Sequence, residues 1–281
     1  MRTVLKYPGS KWNIGKQLVG MIPEHHSYVE PYFGSGAVLF NKAASDIETV
    51  NDLDSNVTNL FRCIQQDPER LARMVMTTPF SREIYDSQFE DDVTTTMYLS
   101  NFQRAVNFLV CCWQGHGFRT NGYKVGWKND VQGRESMYAL WNWYRLPEWI
   151  IEIAERLRKV QIENRPALEV IERFNYENVF MYIDPPYLLG TRNGKQYAYE
   201  MSDAGHEDLL KILLQSNAKI MISGYESEMY NEYLEDWKKV VFDSCAEHGK
   251  PRKEVVWMNY EYNTQLSLED WIKGGDNGKT R

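Results

Sequence analysis

The chain alternates short apolar runs, rich in β-branched and aromatic residues, with segments of helical periodicity, and this alternation restricts its fold more than any other feature. The runs are SYVEP (27–31), IETVN (47–51), VQIEN (160–164), VFMYID (179–184), KIMISGY (219–225), KKVVFD (238–243) and EVVWMNY (254–260). Helical patterns lie between most of them, among them SNVTNLFRCIQ (55–65) and HEDLLKILLQS (206–216). Strand, helix, strand order demands right-handed crossovers, which build a largely parallel sheet covered on both faces. The last two runs follow each other without a helix, which predicts an antiparallel hairpin at the sheet edge. The expected class is α/β.

Between about 66 and 159 the alternation stops. NFQRAVNFLVCCW (101–113) and MYALWNWYRLPEWIIEIAERLRKV (137–160) read as helices, and between them runs the Gly-, Asn- and Lys-rich QGHGFRTNGYKVGWKND (114–130). This region reads as a second, mainly helical domain inserted into the α/β scaffold. The final GGDNGKTR (274–281) reads as a flexible polar tail.

Composition narrows the function classes. With 43% hydrophobic and 25% charged residues in 281, the chain suits an ordinary globular protein of one catalytic domain plus an insertion. No apolar run reaches the roughly 18 residues that span a membrane, and MRTVLKYPGSKW lacks a signal-peptide core, so a cytoplasmic location is expected. Cys63, Cys111, Cys112 and Cys245 lack zinc spacing and are expected to be reduced and structural; no metal is expected. A net charge of −7 speaks against a nucleic-acid partner as a whole-surface average. Locally, however, residues 111–134 hold Arg119, Lys124, Lys128 and Arg134 against one acid, Asp130, and phosphate contacts need only a local basic face.

Four segments carry chemistry. Asp184-Pro185-Pro186-Tyr187 ends the run VFMYI. An exocyclic amine conjugated to a ring is a poor nucleophile, and acceptors for both its N–H groups free the lone pair. Asp184 can be one acceptor and the Pro185 carbonyl the other, with Pro186 restricting the residue before it to extended backbone. Tyr187 offers an aromatic face for an extruded base. An ordinary Pro-Pro turn with Asp184 as a cap is the competing reading. Tyr32-Phe33-Gly34-Ser35-Gly36 follows a short strand, and Gly34 and Gly36 allow a tight ligand-cradling turn, or simply a tight turn. Asp52, ending the next strand, can accept from both hydroxyls of a ribose, while Asp54 suits the cap of the helix near Ser55. Near the N-terminus, Lys11 of YPGSK can meet a ligand carboxylate beside Tyr7, or be a solvated lysine on a loop.

Taken together, KYPGSK, YVEPYFGSGAVLFN, VNDLDSNV and YIDPPY resemble, in content and order, the Dam-like (D12 class) family of DNA adenine-N6 methyltransferases. HEDLLKILLQSNAKIMISGY and KEVVWMNYE resemble its remaining core strands, so the likeness covers roughly two-thirds of the chain. The resemblance implies a Rossmann-like S-adenosylmethionine-dependent fold, with residues 1–65 and 160–273 catalytic. It also implies a target-recognition domain at 66–159 whose β-hairpin lies near 114–130. It puts Tyr7, Lys11, Tyr32, Gly34, Gly36, Asp52 and Asp184 around S-adenosylmethionine, with Glu163 at the donor's adenine although the surrounding ENRPAL matches poorly. On the hairpin it implies Arg119, Asn121, Lys124 and Lys128 as DNA-binding residues, the lysines being equally suited to phosphate alone or to solvent.

The implied reaction rotates one adenine out of duplex DNA and lets N6 attack the donor methyl directly. No covalent enzyme intermediate is implied, since the cytosine-C5 type of Pro-Cys motif is missing. N4 methylation of cytosine, methylation of RNA adenine, and a catalytically silent DNA-binding module of the same fold remain alternatives. A nicotinamide-dependent oxidoreductase would need a fuller glycine fingerprint. A monomer is the expected state.

Overall fold

The computed structural model describes residues 1–90, 99–117, 119–129, 136–192, 194–245 and 251–262. The polar tail at 274–281, and Asp130 and Arg134 of the basic run, lie outside the described residues, as does the side chain of Cys245.

All seven expected strands form, as β1 (Ser27–Glu30), β2 (Ile47–Asn51), β3 (Val160–Glu163), β4 (Val179–Ile183), β5 (Lys219–Tyr225), β6 (Lys238–Cys245) and β7 (Pro251–Met258). They make one sheet of order β3-β2-β1-β4-β5-β7-β6. The first five strands pair in parallel, and β7 inserts antiparallel between β5 and β6. This is a mixed α/β architecture with a mostly parallel sheet, and the final hairpin closes one edge as expected.

Period-2 alternation divides the strand residues between two apolar layers. Tyr28, Phe180, Tyr182 and Met221 face one layer, and Val29, Met181, Ile183 and Ile222 face the other. Helix α1 (Gly15–Gly20) and helix α2 (Ser55–Gln66) pack on the first. Asp54 caps α2 by accepting from the Asn56 amide, as the sequence suggested.

Helices α3 (Pro68–Met76), α4 (Arg82–Ser87), α5 (Asn101–Gln114) and α6 (Ser136–Leu157) fill the stretch where the strand alternation fails. Asp67 and Ser100 cap α3 and α5. Among the described residues, these helices share the apolar core of the sheet. Leu71, Val75, Phe102, Leu109, Trp113 and Ile150 belong to the same buried cluster as Tyr28 and Phe180. Hydrophobic burial thus anchors the inserted stretch to one sheet face. Helices α7 (Ala167–Arg173), α8 (Asp203–Leu214) and α9 (Glu228–Tyr233) complete the opposite layer.

Among the described residues of 114–129, Gly115 and Trp127 form an antiparallel bridge, flanked by His116 N–H to Gly126 O and Lys128 N–H to Gln114 O. Among the described residues no helix is long and apolar enough to cross a membrane. Cys63, Cys111 and Cys112 are free thiols, and burial pushes Cys111 up to about 12.

Candidate active site

At the carboxyl ends of β1, β2 and β4 lies a cleft of about 710 Å³, a volume that includes space open to solvent. Open parallel sheets present ligands at this edge because neighbouring loops diverge there. Tyr7, Lys11, Tyr32, Gly34, Asp52, Asp184 and Pro186, drawn from four separate sequence motifs, all line it.

The glycine turn is built around Asp52. Phe33 donates its amide to Asn51 O, which brings the turn over the end of β2. Gly34 then donates its N–H to Asp52 Oδ2 at 2.8 Å, and Asp54 N–H donates to Oδ1 at 2.9 Å. Gly34 has φ of 47°, and a Cβ there would stand 2.9 Å from the Tyr7 ring, so both conformation and space require glycine. Gly36 does not line the cleft; its φ is 68°, and a Cβ would strike the Phe33 and Phe40 rings at 2.6 Å. Asp52 is only 8% exposed, and burial pushes its carboxyl up to about 7 despite the two amide donors.

Glu30, which the sequence reading did not single out, also lines the cleft at the end of β1. It is 2% exposed, its Oε1 accepts from Tyr28 Oη at 2.7 Å, and its Oε2 meets no hydrogen-bonding partner among the described residues. Burial pushes this carboxyl up to about 8, against the Tyr28 hydrogen bond and the Leu39 backbone amide nearby. A buried acceptor without a partner costs free energy unless a ligand donor satisfies it.

The Asp184 turn is held from behind. Ser223, on β5, donates its hydroxyl to Asp184 Oδ1 at 2.7 Å, and Lys11 Nζ stands 3.1 Å from Oδ2. The Lys11 ammonium, expected to meet a ligand carboxylate, is held between Asp184 and Glu254, the latter at 3.9 Å, and also donates to Gly9 O. Burial pulls Lys11 down, but the Asp184 and Glu254 carboxylates more than offset it and leave the ammonium above its ordinary range. Tyr187 is only 5% exposed here. Its phenol donates to Glu254 Oε2 at 2.7 Å, Lys11 Nζ lies 4.7 Å over its ring, and Tyr225 meets that ring edge-on. The tetrapeptide's ring therefore backs the turn, and Tyr197 and Tyr199 supply further aromatic lining to the cleft.

The segment after the turn closes over Tyr7. Arg192 donates to Tyr187 O and Gly194 O and pairs with Glu200, which accepts from the Gln196 and Tyr197 amides. This seats the Tyr197 ring 5.9 Å from Tyr7, with its hydroxyl donating to Pro8 O.

Other candidate residues lie elsewhere. Glu163 ends β3 but does not line the cleft; its carboxylate pairs with Arg173. In the 114–129 loop Arg119 is exposed and stacks on Tyr123, Lys124 pairs with Asp86 at 2.9 Å, and Lys128 donates to Trp113 O. Asn121 donates to Lys195 O, and Thr120 N–H donates to Gln196 O, so this loop is tied to the segment that covers the cleft. Among the described residues, no group of three His, Cys, Asp or Glu side chains could hold a metal.

A mostly parallel sheet with its last strand reversed, and a carboxylate-rich cleft beside the first strand's glycine turn, define the class as a Rossmann-like methyltransferase. Within that class the chain belongs to the D12 class N6 adenine-specific DNA methyltransferase family, whose sequence profile matches residues 7–246. It is 24% identical over 279 residues to the type II methyltransferase M1.LlaDCHI of Lactococcus lactis subsp. cremoris, covering 92% of this chain and 96% of that one. The type II methyltransferase M.MjaIII of Methanocaldococcus jannaschii is 22% identical, with 92% and 99% covered. The DNA adenine methylase of Escherichia coli (strain K12) is 22% identical, with 90% and 92% covered. The chain is accordingly a DNA methyltransferase acting on adenine N6.

Proposed function

We propose that the cleft binds S-adenosylmethionine and that Asp184-Pro185-Pro186-Tyr187 presents an adenine, rotated out of duplex DNA, to it. The observation that carries this reading is the convergence of Asp52, the Gly34 turn, Glu30 and Asp184 on one cleft. The donor set fits the cofactor. Asp52 is a buried carboxylate for the ribose hydroxyls, and the unpartnered Glu30 Oε2 matches the ammonium of the methionine moiety. Tyr7 and Tyr32 give the cleft apolar walls. When bound, the cofactor supplies an electrophilic methyl group on a sulfonium sulfur.

Everything else is done by the chain. Asp184 and the Pro185 carbonyl accept the two N–H bonds of the amine and so concentrate its lone pair on nitrogen. Ser223 and Lys11 fix the Asp184 carboxylate before substrate arrives, so little reorganisation accompanies the reaction. Residues 66–159 form the target-recognition region, with Arg119, Asn121, Lys124 and Lys128 on the strip that meets DNA, and residues 1–65 and 160–273 the catalytic region. Type II relatives fit a restriction-modification role for this chain as well. The intact Asp184 turn and Asp52 argue against a silent binding module.

Calorimetry with S-adenosylmethionine tests the cofactor assignment. Binding that is weakened at least about tenfold in Asp52→Ala supports it, and equal binding by both proteins overturns it.

A further inference from the structure

Glu254 is a buried carboxylate that does not line the cleft. It lies on β7, in register with Tyr225 of β5 and Phe242 of β6, and is 8% exposed. One oxygen, Oε2, accepts from the Tyr187 phenol at 2.7 Å and stands 3.9 Å from Lys11 Nζ. Lys11 is buried and has Asp184 on its other side at 3.1 Å. One cation therefore serves two carboxylates, of which only Asp184 lines the cleft.

This sharing has a chemical consequence. A lone Asp184–Lys11 pair would commit the ammonium to Asp184 Oδ2 and leave the carboxylate less free to accept from an amine. A second carboxylate behind the lysine shares that cation, with the ammonium 3.1 Å from Asp184 Oδ2 and 3.9 Å from Glu254 Oε2, and so weakens its hold on Oδ2. The same carboxylate fixes the last residue of the turn through the Tyr187 phenol, and the Tyr187 ring in turn lies under the ammonium.

We propose that Glu254 is a positioning residue for methyl transfer, sharing the Lys11 ammonium and anchoring Tyr187 so that the Asp184 carboxylate stays available to the amine. The inference rests on Asp184 being the amine acceptor. Both contacts end on one atom, Glu254 Oε2.

The test compares Glu254→Gln, Glu254→Asp and Asp184→Ala, with steady-state methylation of duplex DNA and calorimetric binding of S-adenosylhomocysteine. Glutamine still offers an oxygen to the Tyr187 phenol but carries no charge for Lys11. The expected result is a kcat at least about tenfold lower in Glu254→Gln, with the KM for DNA and the Kd for S-adenosylhomocysteine within about twofold of the parent. Glu254→Asp, which keeps the charge, recovers part of the lost kcat. Should Glu254→Gln not fold, the same kcat-against-KM comparison is made on Glu254→Asp, where a lowered kcat with unchanged KM supports the role. A kcat within about twofold of the parent, or a loss carried by KM and Kd alone, overturns it. If Asp184→Ala is inactive while Glu254→Gln is unimpaired, only the role of Glu254 falls. If Asp184→Ala is itself active, the reading of the turn falls with it.

Discussion

Lys11, near the N-terminus, and Asp184, at the end of β4, meet at 3.1 Å, joining two motifs separated by most of the chain. Both are largely buried, and removing Lys11 leaves Asp184 and Glu254 without their shared cation. Lys11→Met should therefore destabilise the protein by about 3 kcal/mol. Asp184→Asn in the same background should cost less than in the parent, by at least about 1 kcal/mol. Urea unfolding of the two single variants and the double variant measures this coupling; additive losses would show that the pair does not interact.

Asp52 is held by two backbone amides and faces the cleft. Replacing it with alanine should weaken S-adenosylmethionine binding by about 1–3 kcal/mol, or roughly tenfold to a hundredfold. Methyl transfer at saturating donor should change far less. Initial rates over a donor titration separate the two effects.

Glu30 gives a pH signature. Its folded pKa, about 8, lies above the ordinary carboxylate value, so in that window the folded state holds a proton that the unfolded state has released. Stability is thus lost as pH rises from about 4 towards 8. Glu30→Gln, which cannot ionise, should melt higher than the parent at pH 8.5, and the gain should shrink towards pH 4. Thermal melts of both proteins across this range provide the check, with a pH-independent difference contradicting the assignment.

Arg119 is exposed on the 114–129 loop, whereas Lys124 is already paired with Asp86. If this loop meets phosphate, Arg119→Ala lowers DNA affinity and reduces the slope of log K against log salt by about one. Lys124→Ala should have the smaller effect. Fluorescence anisotropy with a labelled duplex at several salt concentrations gives both slopes.

Much of this was legible before the structure. The strands could be read because VFMYI and the IMI of KIMISGY are short apolar runs set between helical patterns, which a doubly covered parallel sheet accommodates. Asp52 and Asp184 were legible because each ends such a strand. Glu30 was not, although it too ends a strand, because a single acid inside VEPYFG carries no signal of its burial or of its unpartnered oxygen. Ser223 and Glu254 were hidden for a different reason. Their contacts with Asp184 and Tyr187 cross strands that are distant in sequence, and only the order β4-β5-β7 brings them together. The exposed face expected of Tyr187 also depended on tertiary packing, since Glu254, Lys11 and Tyr225 cover the ring. The helical stretch 66–159 was visible as a break in alternation, but not that its apolar faces would join the core of the sheet.

The central claim is that Asp184 directs methyl transfer to adenine N6. The most direct measurement transfers labelled methyl from S-adenosylmethionine to unmethylated DNA, digests the product to nucleosides, and repeats the reaction with Asp184→Ala. The account predicts label in N6-methyladenine with the parent and a loss of at least about a hundredfold in rate with the variant. Label in N4-methylcytosine, or an Asp184→Ala variant as active as the parent, would contradict it.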